Sequence, residues 1–424
     1  MNITHLDVER IQHAFSPAQE IQDPKLFVGR RAEIEEGMRA LLNRGGFLAI
    51  FGLRGVGKSS IAYQIKLIAE GDRTLPRVFG IERLIPMKGF DYLVHYIRCD
   101  SFVTNIRDLL KRLMFGDESN PSLFSLTKSG DKQLKEFRRI LQAEGGIGAF
   151  GAKLGGKGTE ERTYSTFISD DTIQQFRKLL GTVQRDNQNK SGLLIIIDEF
   201  DAIRDKSGFS SIIKTCCTDF VRFGVVGIGA TVTELIEDHT SIGRQIDTIE
   251  IPLMPHEELR HILRRAEYKI GKTITFENDA AIKIAEQAQG YPYFVHLLGR
   301  EAMLMAFMAD SPRVLVDHIE ALAKKINEGR LTTIYEDIYQ EAVKHSPQRE
   351  ILLKLFSEQD SEDIHTESVY TTARDLGITN PSQLMKELTK QETQTGVLTK
   401  VRDRYFRFTD PVFKVYARMR NWKY

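Results

Sequence analysis

Short apolar runs alternate with amphipathic stretches along the first part of this 424-residue chain. The runs at 47–51, 193–197 and 224–229 predict buried strands, and 91–99 has the β-branched and aromatic composition of another. Between the runs, apolar positions recur with the spacing of a helix that packs on a sheet. This alternation predicts an α/β fold with a parallel-sheet core.

From about residue 255 the strand pattern gives way to helical periodicity. Amphipathic stretches follow one another to about residue 345 and predict a helical lid subdomain. Three further helical stretches then precede two β-like runs, 396–401 and 404–408, in the element order of a winged helix-turn-helix. The predicted organisation is an N-terminal arm, 1–26; an α/β core, 27–254; the helical lid, 255–345; and a winged-helix domain, 346–424.

Residues 145–158 interrupt the core, since seven of these fourteen positions are glycine. Each glycine costs a helix about 1 kcal/mol relative to alanine, so no helix is expected here. The composition favours a mobile loop. The alternative is an inserted hairpin that contacts a partner or a neighbouring subunit.

Composition and charge narrow the class of protein. The chain is 41% apolar and 28% charged, which suits a globular protein with a sizeable core. A formal net charge of +1 gives no global attraction to nucleic acid or membranes. Three cysteines supply neither a disulfide framework nor the spacing of metal ligands. No apolar run approaches the length of a membrane span, so we expect a soluble, cytoplasmic protein with no membrane partner.

The stretch after the first apolar run carries the clearest chemistry. Its spacing fits G-x-x-x-x-G-K-[ST], the phosphate-binding P-loop, between a predicted strand and a predicted helix. Glycines let successive N–H groups turn inward, and the helix N-terminus adds partial positive charge. Lys58 is expected to contact the β- and γ-phosphates, and the Ser59 hydroxyl to bind Mg²⁺. The alternative is a glycine turn that matches by chance. The residues concerned are Gly52, Leu53, Arg54, Gly55, Val56, Gly57, Lys58, Ser59 and Ser60.

A second candidate is the acidic pair that ends the run at 193–197. Open α/β sheets bind ligands at the carboxyl ends of their strands, so Asp198 and Glu199 are expected beside the P-loop. Asp198 would hold Mg²⁺ through its water shell, and Glu199 would polarise the water that attacks the γ-phosphate. A GTPase is disfavoured because the sequence has no Asn-Lys-x-Asp motif.

Several of these motifs together resemble the AAA+/STAND group of P-loop ATPases over roughly residues 25–345. They are Phe27-Val28-Gly29-Arg30, the P-loop, the run that ends in Asp198-Glu199-Phe200-Asp201, and Gly290-Tyr291-Pro292-Tyr293. The resemblance implies a Mg²⁺-dependent ATPase with ATP or ADP as its nucleotide. Its nucleotide state would control homo-oligomerisation and engagement of a separate effector, in some bacterial members during antiphage defence. The alternative within the group is a DNA-binding ATPase that loads or regulates other proteins on DNA.

The resemblance also suggests roles for further residues. Thr231 or Thr233 would sense the γ-phosphate, and Arg244 would act as an arginine finger toward ATP in the adjacent subunit. The alternative for Arg244 is a surface arginine. Pro292 would press the lid on the nucleotide, although it could equally be an N1 proline of its helix. The adenine pocket would be lined by Val28, Gly29 and Arg30.

The end of the chain is locally basic. From residue 386 onward, ten basic side chains face four acidic ones, a net charge of +6. This charge suits contact with the phosphates of duplex DNA. Apolar residues in the same segment, such as Phe408 and Phe413, suit an intramolecular latch instead. The sequence leaves both possibilities open. The basic residues are Lys386, Lys390, Lys400, Arg402, Arg404, Arg407, Lys414, Arg418, Arg420 and Lys423.

Overall fold

A computed structural model describes residues 6–17, 19–43, 46–117, 119–128, 130, 172–229, 231–236, 245–389 and 396–421. The glycine-rich segment 145–158 and Arg244 lie outside these ranges. Contacts divide the chain into two units. The first contains 20–53 and 58–252, and the second contains 1–19, 54–57 and 253–424.

Five parallel strands form the sheet of the first unit, in the order β2-β3-β4-β1-β5. All residues of β1 and β3 are buried, because helices cover parallel sheets on both faces. The sheet confirms the predicted α/β fold with a parallel core. The strands are β1 (Phe47–Gly52), β2 (Tyr92–Arg98), β3 (Gly192–Asp198), β4 (Val221–Ile228) and β5 (Ile246–Ile251).

Amphipathic helices connect these strands. Apolar residues of α5, α6 and α7 share one core cluster with the alternate residues Leu193, Ile195 and Ile197 of β3. Helix α3, which follows β1 directly, packs on α2 and on β1 to β4. In chain order the helices up to residue 252 are α1 (Val8–Ala14), α2 (Arg31–Leu42), α3 (Lys58–Ala69), α4 (Thr74–Phe79), α5 (Ile106–Phe115), α6 (Thr172–Asp186), α7 (Phe209–Cys216) and α8 (Val232–Leu235). Of these, α1 belongs to the second unit.

The second unit contains a helical bundle. Helix α1 packs on α9 and α11, where it buries Ile11 and Phe15. Burial lowers the pKa of His296 on α11 to about 4, and its Nδ1 accepts a hydrogen bond from the Ser16 N–H. The bundle consists of α9 (His256–Lys269), β6 (Thr275–Phe276), α10 (Asn278–Ala288), α11 (Pro292–Met308), β7 (Arg313–Val314), α12 (Val316–Asn327) and α13 (Thr333–Val343).

In the C-terminal part of the same unit, three helices and then two strands follow in the predicted order, with a further short strand between the first two helices, and a winged-helix fold stays a prediction. Its three strands form an antiparallel sheet in the order β8-β10-β9. The last helix, α17, packs on α10, α12 and α13 and buries Phe413 and Tyr416. No helix in the described part of the chain is long and apolar enough to cross a membrane. The elements are α14 (Pro347–Ser357), β8 (Ile364–His365), α15 (Thr366–Asp375), α16 (Pro381–Leu388), β9 (Leu398–Arg402), β10 (Tyr405–Phe408) and α17 (Pro411–Met419).

Candidate nucleotide-binding site

The loop between β1 and α3 has the backbone of a phosphate cradle. Gly52 has φ +151°, and a Cβ at this position would lie 2.6 Å from the Ile251 carbonyl oxygen of β5. Gly57 has φ +97°, and apart from its chain neighbours no atom of the described residues lies within 4 Å of the place where its Cβ would be. Glycine is therefore required at one end of the loop by a close approach and at the other by the backbone dihedral.

Lys58, the first residue of α3, is 9% exposed. Its Nζ donates hydrogen bonds to the carbonyl oxygens of Leu53, at 2.7 Å, and Gly52, at 3.2 Å. The side chain therefore folds back over its own loop. In that position its charge adds to the partial positive charge of the α3 N-terminus.

Ser60 follows Ser59 in the first turn of the same helix and contacts the chain segment around Ile21. The Ser60 hydroxyl accepts a hydrogen bond from the Ile21 N–H at 3.0 Å. One turn further along α3, Gln64 is fully buried, and its Nε2 donates to the Ile21 carbonyl at 2.7 Å. The chain segment 20–22 is thus fixed against the P-loop helix. Sequence reasoning missed this contact because nothing in the residues around Ile21 indicates it.

Asp198 is the last residue of β3 and is 1% exposed. Its Oδ2 accepts a hydrogen bond of 2.6 Å from the Tyr96 hydroxyl, and its Oδ1 accepts one of 2.9 Å from the Glu199 N–H. Burial and then the neighbouring Asp198 carboxylate raise the pKa of Tyr96, which keeps the phenol protonated as a donor. Both carboxylate oxygens of Asp198 are therefore held in fixed directions.

Glu199 adopts a left-handed backbone conformation, with φ +55°. Such a conformation is uncommon for a residue with a side chain, and strain of this kind clusters at functional sites. The side chain is 55% exposed, in contrast to that of Asp198. The strand end thus presents one buried carboxylate and one carboxylate that water can reach.

Two contacts connect the turn after β3 to the P-loop. The Asp201 carboxylate accepts a hydrogen bond of 2.8 Å from the Ile228 N–H at the end of β4. The Gly229 N–H, one residue further, lies 3.4 Å from the Gly52 carbonyl oxygen. The acidic turn, the end of β4 and the start of the P-loop therefore lie next to one another at the same edge of the sheet.

Arg98 is a charged residue at this edge that sequence reasoning missed. It ends β2 and pairs in register with Asp198 of β3. Its Nε lies 3.9 Å from Asp198 Oδ2 and 3.7 Å from Glu199 Oε1, and its Nη2 lies 3.0 Å from Glu20 Oε2. Arg98 could have been found near the end of the predicted strand 91–99, but only the strand order places that strand next to β3.

The segment expected to line an adenine pocket leads into α2. Arg30 is 3% exposed and has φ +61°. Its guanidinium donates to the Pro252 carbonyl at 2.8 Å and pairs with Glu33 at 3.0 Å. Val28 and Gly29 are half-buried. The guanidinium of Arg30 therefore fixes this segment to the residue after β5, and contact of the segment with adenine stays a prediction.

Of the remaining predicted site residues, Thr231 and Pro292 lie in the described part of the chain and Arg244 lies outside it. Thr231 is exposed, and its hydroxyl caps α8 by accepting a hydrogen bond of 3.2 Å from the Glu234 N–H. It lies two residues beyond Gly229, which contacts the P-loop. Pro292 is the first residue of α11 in the second unit. For Thr231, Pro292 and Arg244, the suggested roles in nucleotide sensing and hydrolysis stay predictions.

Oxygen donors are the ligands that Mg²⁺ prefers, and it commonly keeps one or two protein ligands together with substrate phosphates. The Ser59 hydroxyl and the fixed Asp198 carboxylate are donors of this kind, so the residues fit Mg²⁺. Among the described residues, no group of three or more His, Cys, Asp and Glu side chains forms a metal site.

A parallel sheet, the P-loop sequence between β1 and α3, and the acidic pair at the end of β3 are the features that the sequence resemblance to P-loop ATPases predicts.

Several solved structures are similar to the chain over most of its length. The Walker-type ATPase PABY2304 of Pyrococcus abyssi is 12% identical, with 95% of this chain and 99% of that chain covered and a TM-score of 0.47. The ORC2 protein of Aeropyrum pernix is 14% identical, with 96% of each chain covered and a TM-score of 0.47. The RuvB branch-migration motor of Thermotoga maritima is 14% identical, with 92% of this chain and 94% of that chain covered and a TM-score of 0.43. No protein-family model and no curated protein sequence matches the chain.

Proposed function

We propose that this chain is a Mg²⁺-dependent ATPase whose nucleotide state controls its self-assembly and its engagement of a partner protein. The observation that supports this most is the series of contacts from the Asp198–Glu199 turn through Asp201 and Gly229 to Gly52. These contacts bring the acidic pair and the start of the P-loop to one edge of the sheet, which supports a common site. In a narrower form, taken from the sequence resemblance alone, the regulated process is antiphage defence.

In this proposal each residue has a separate task. The loop N–H groups and Lys58 bind the phosphates, and Ser59 and Asp198 hold Mg²⁺. Bound there, Mg²⁺ would neutralise negative charge on the phosphates. Glu199, exposed next to the fixed Asp198, accepts the proton of the attacking water. Half-buried Tyr96 keeps the Asp198 carboxylate in one orientation through its hydrogen bond to Oδ2.

Coupling to the C-terminal part is supported by a contact within the second unit. That unit contains Arg54 of the P-loop, and Arg54 Nη1 lies 3.4 Å from Asp410 Oδ2. Asp410 caps α17 by accepting a hydrogen bond from the Val412 N–H at 2.8 Å. Arg54 is 63% exposed, and ion pairs of this exposure contribute about 0–1 kcal/mol. We propose that this weak pair is a latch that a bound triphosphate opens.

The proposal predicts that the mass of the protein in solution depends on the nucleotide. We expect a larger species with Mg²⁺ and ATP than with ADP or without nucleotide, measured by light scattering at one protein concentration. Each sample is also run with duplex DNA, which separates self-assembly from assembly on DNA. The same mass in all conditions, in a protein that binds ATP, would contradict control of assembly.

A mixing experiment tests whether Arg244 acts across subunits. Arg244→Ala is expected to keep ATP affinity and lose turnover. Mixing it with a Lys58→Ala subunit, which supplies an intact Arg244, should restore part of the turnover. If the mixture is as inactive as its components while still co-assembling, Arg244 is not a finger in trans.

Duplex DNA binding is a second candidate function, supported by the hairpin of β9 and β10. Lys400, Arg402 and Arg404 lie on this hairpin and are exposed. Among the described residues the carboxylate that pairs with them is that of Asp403, at 3.4 Å from Lys400 and 4.0 Å from Arg404. The hairpin thus has a net charge of +2 over these four residues. By contrast, intramolecular partners hold four other C-terminal cations: Arg407 with Glu362 and Asp363, Lys414 with the Ser361 carbonyl, Arg418 with Asp360, and Arg420 with Glu336.

If the hairpin binds duplex DNA, replacing all three of its cations with alanine should weaken binding and its salt dependence together. Each lost phosphate contact reduces the slope of log K against log salt by about 0.9, so we expect a reduction of up to about 3. Fluorescence anisotropy over a salt series measures both quantities. The matched control replaces three exposed arginines of the first unit. An equal loss in that control, or no loss in the hairpin variant, would contradict hairpin binding. The control residues are Arg31, Arg39 and Arg77.

A further inference from the structure

A cavity of about 260 Å³ lies in the helical bundle of the second unit, where residues of α9, β6, α10 and the turn after α9 line it. Part of the lining is apolar: Leu263 is buried, and Phe276 and Ala281 are half-buried. Sites for small organic molecules measure about 300–1,000 Å³ and combine an apolar lining with a few polar groups. The volume of this cavity therefore suits a ligand with a single small ring.

Three cationic side chains line the same cavity, together with one carboxylate. Arg260 and Arg264 are one turn apart on α9, so they lie on the same face of that helix, and Lys272 lies in the turn after it. The carboxylate is that of Glu267, so three positive charges and one negative charge give the lining a net charge of +2. Like charges one turn apart destabilise a helix, so the stability of α9 does not explain its row of arginines.

Hydrogen bonds within the protein hold the walls of the cavity together. The Arg260 guanidinium pairs with Glu257 and donates to Asn278 Oδ1 at 3.4 Å, which connects α9 to the first residue of α10. Glu267 Oε1 accepts a hydrogen bond of 2.7 Å from the Phe276 N–H, which connects α9 to β6. The cavity is therefore formed by contacts of the protein itself and does not need a ligand to take shape.

Lys272 has a backbone conformation that favours glycine. Its φ is +55°, in the left-handed region, and its N–H donates to the Glu267 carbonyl at 2.7 Å. Strain of this kind clusters at functional sites and ligand clamps. In this position the Lys272 Nζ lies 4.3 Å from the centre of the Tyr268 ring. Both residues line the cavity and are exposed, as is Arg264, so the charged groups of Lys272 and Arg264 are accessible to a ligand.

We propose that this cavity binds a small aryl phosphate, with its phosphate group on Arg264 and Lys272 and its ring on the apolar lining. A guanidinium binds two phosphate oxygens at once, and a lysine adds a point charge. A phosphate monoester carries a charge of about −1.5 to −2 at neutral pH, which matches the charge of the lining better than a carboxylate does. Tyr268 and Phe276 give the ring aromatic neighbours, which stabilise it beyond the area that they bury. The inference goes beyond the proposed function, because none of these residues belongs to the candidate nucleotide-binding site.

Titration of the full chain with phenyl phosphate, followed by the NMR signals of the ligand, tests the site. Mg²⁺ and ADP are present at saturation, so that the proposed nucleotide site is occupied. We expect saturable binding to one site, with inorganic phosphate and benzoate each at least about tenfold weaker as competitors, since the first lacks the ring and the second the phosphate. Phenyl phosphate that fails to bind, or that binds no more tightly than inorganic phosphate, would overturn the proposal.

Arg264→Gln should weaken the binding of phenyl phosphate about tenfold, because a hydrogen-bonded charge pair is lost. The matched control is Arg265→Gln. Arg265 is the next residue of α9 but does not line the cavity, so its replacement should leave the affinity unchanged. An equal loss in both variants, or no loss in Arg264→Gln, would overturn the proposal.

Lys272→Gly separates contact with a ligand from a role in the fold. Glycine removes the cation and adopts the left-handed backbone without strain, so the melting temperature should not fall. The affinity for phenyl phosphate should nevertheless decrease several-fold, and an unchanged affinity would overturn the proposal. An unmodified protein that binds phenyl phosphate in this way but hydrolyses no ATP would contradict the proposed function only.

Discussion

Replacing Lys58 with alanine is expected to abolish nucleotide turnover. The substitution removes the buried cation that folds over the P-loop and leaves the loop glycines and α3 intact. Removal of one preorganised group that stabilises transition-state charge lowers the rate about 10²–10³-fold. Because Lys58 carries a full charge, we expect the loss in rate to lie at the upper end of this range. Phosphate release from ATP measures turnover, and titration with a fluorescent ATP analogue measures binding.

Lys66→Ala is the matched control for this experiment. Lys66 lies on the same helix, two turns further along, and pairs with Glu70 at 2.8 Å. Its replacement should leave nucleotide binding and turnover unchanged. Normal hydrolysis by Lys58→Ala would show that the P-loop is not the site of the reaction.

Glu199→Gln is expected to separate ATP binding from hydrolysis. The glutamine side chain has nearly the same size and keeps a polar group at the strand end, but it accepts no proton from water. General base catalysis contributes about 10²–10⁴ in rate, so we expect a loss of this size in kcat with ATP affinity retained. The variant should therefore accumulate in the ATP-bound state, and in the larger species if nucleotide controls assembly. Single-turnover hydrolysis and light scattering measure the two effects.

Two comparisons make the Glu199 result specific. Asp198→Asn should instead weaken the dependence of binding on Mg²⁺, because Asp198 is the proposed metal ligand. Asp205→Asn, an exposed carboxylate a few residues further whose partner is Ser207, should have no effect. Retained hydrolysis in Glu199→Gln would remove the base from the proposed mechanism.

The C-terminal segment shows that a count of charges along a stretch of sequence can mislead about the charge of a surface. Ten basic residues against four acidic ones indicated a basic surface. In the structure, several acidic partners come from outside that window, such as Glu336 for Arg420 and Asp360 for Arg418. Counting within a window cannot find such pairs, since opposite charges meet across the fold. Within the described part of that window, the hairpin with Lys400, Arg402 and Arg404 is an exposed basic feature.

The sequence by itself determined the strands of the core, the P-loop and the acidic pair after β3. These are local features: a buried parallel strand is a continuous apolar run, and a phosphate loop needs glycines at fixed spacing. Only the tertiary structure brought Glu20, Arg98 and Asp198 together, because they are separated by 78 and 100 residues along the chain. Their meeting depends on the strand order that places β2 beside β3 and on the fixing of Ile21 to α3. The pattern of apolar and polar positions does not indicate which strands are neighbours in the sheet.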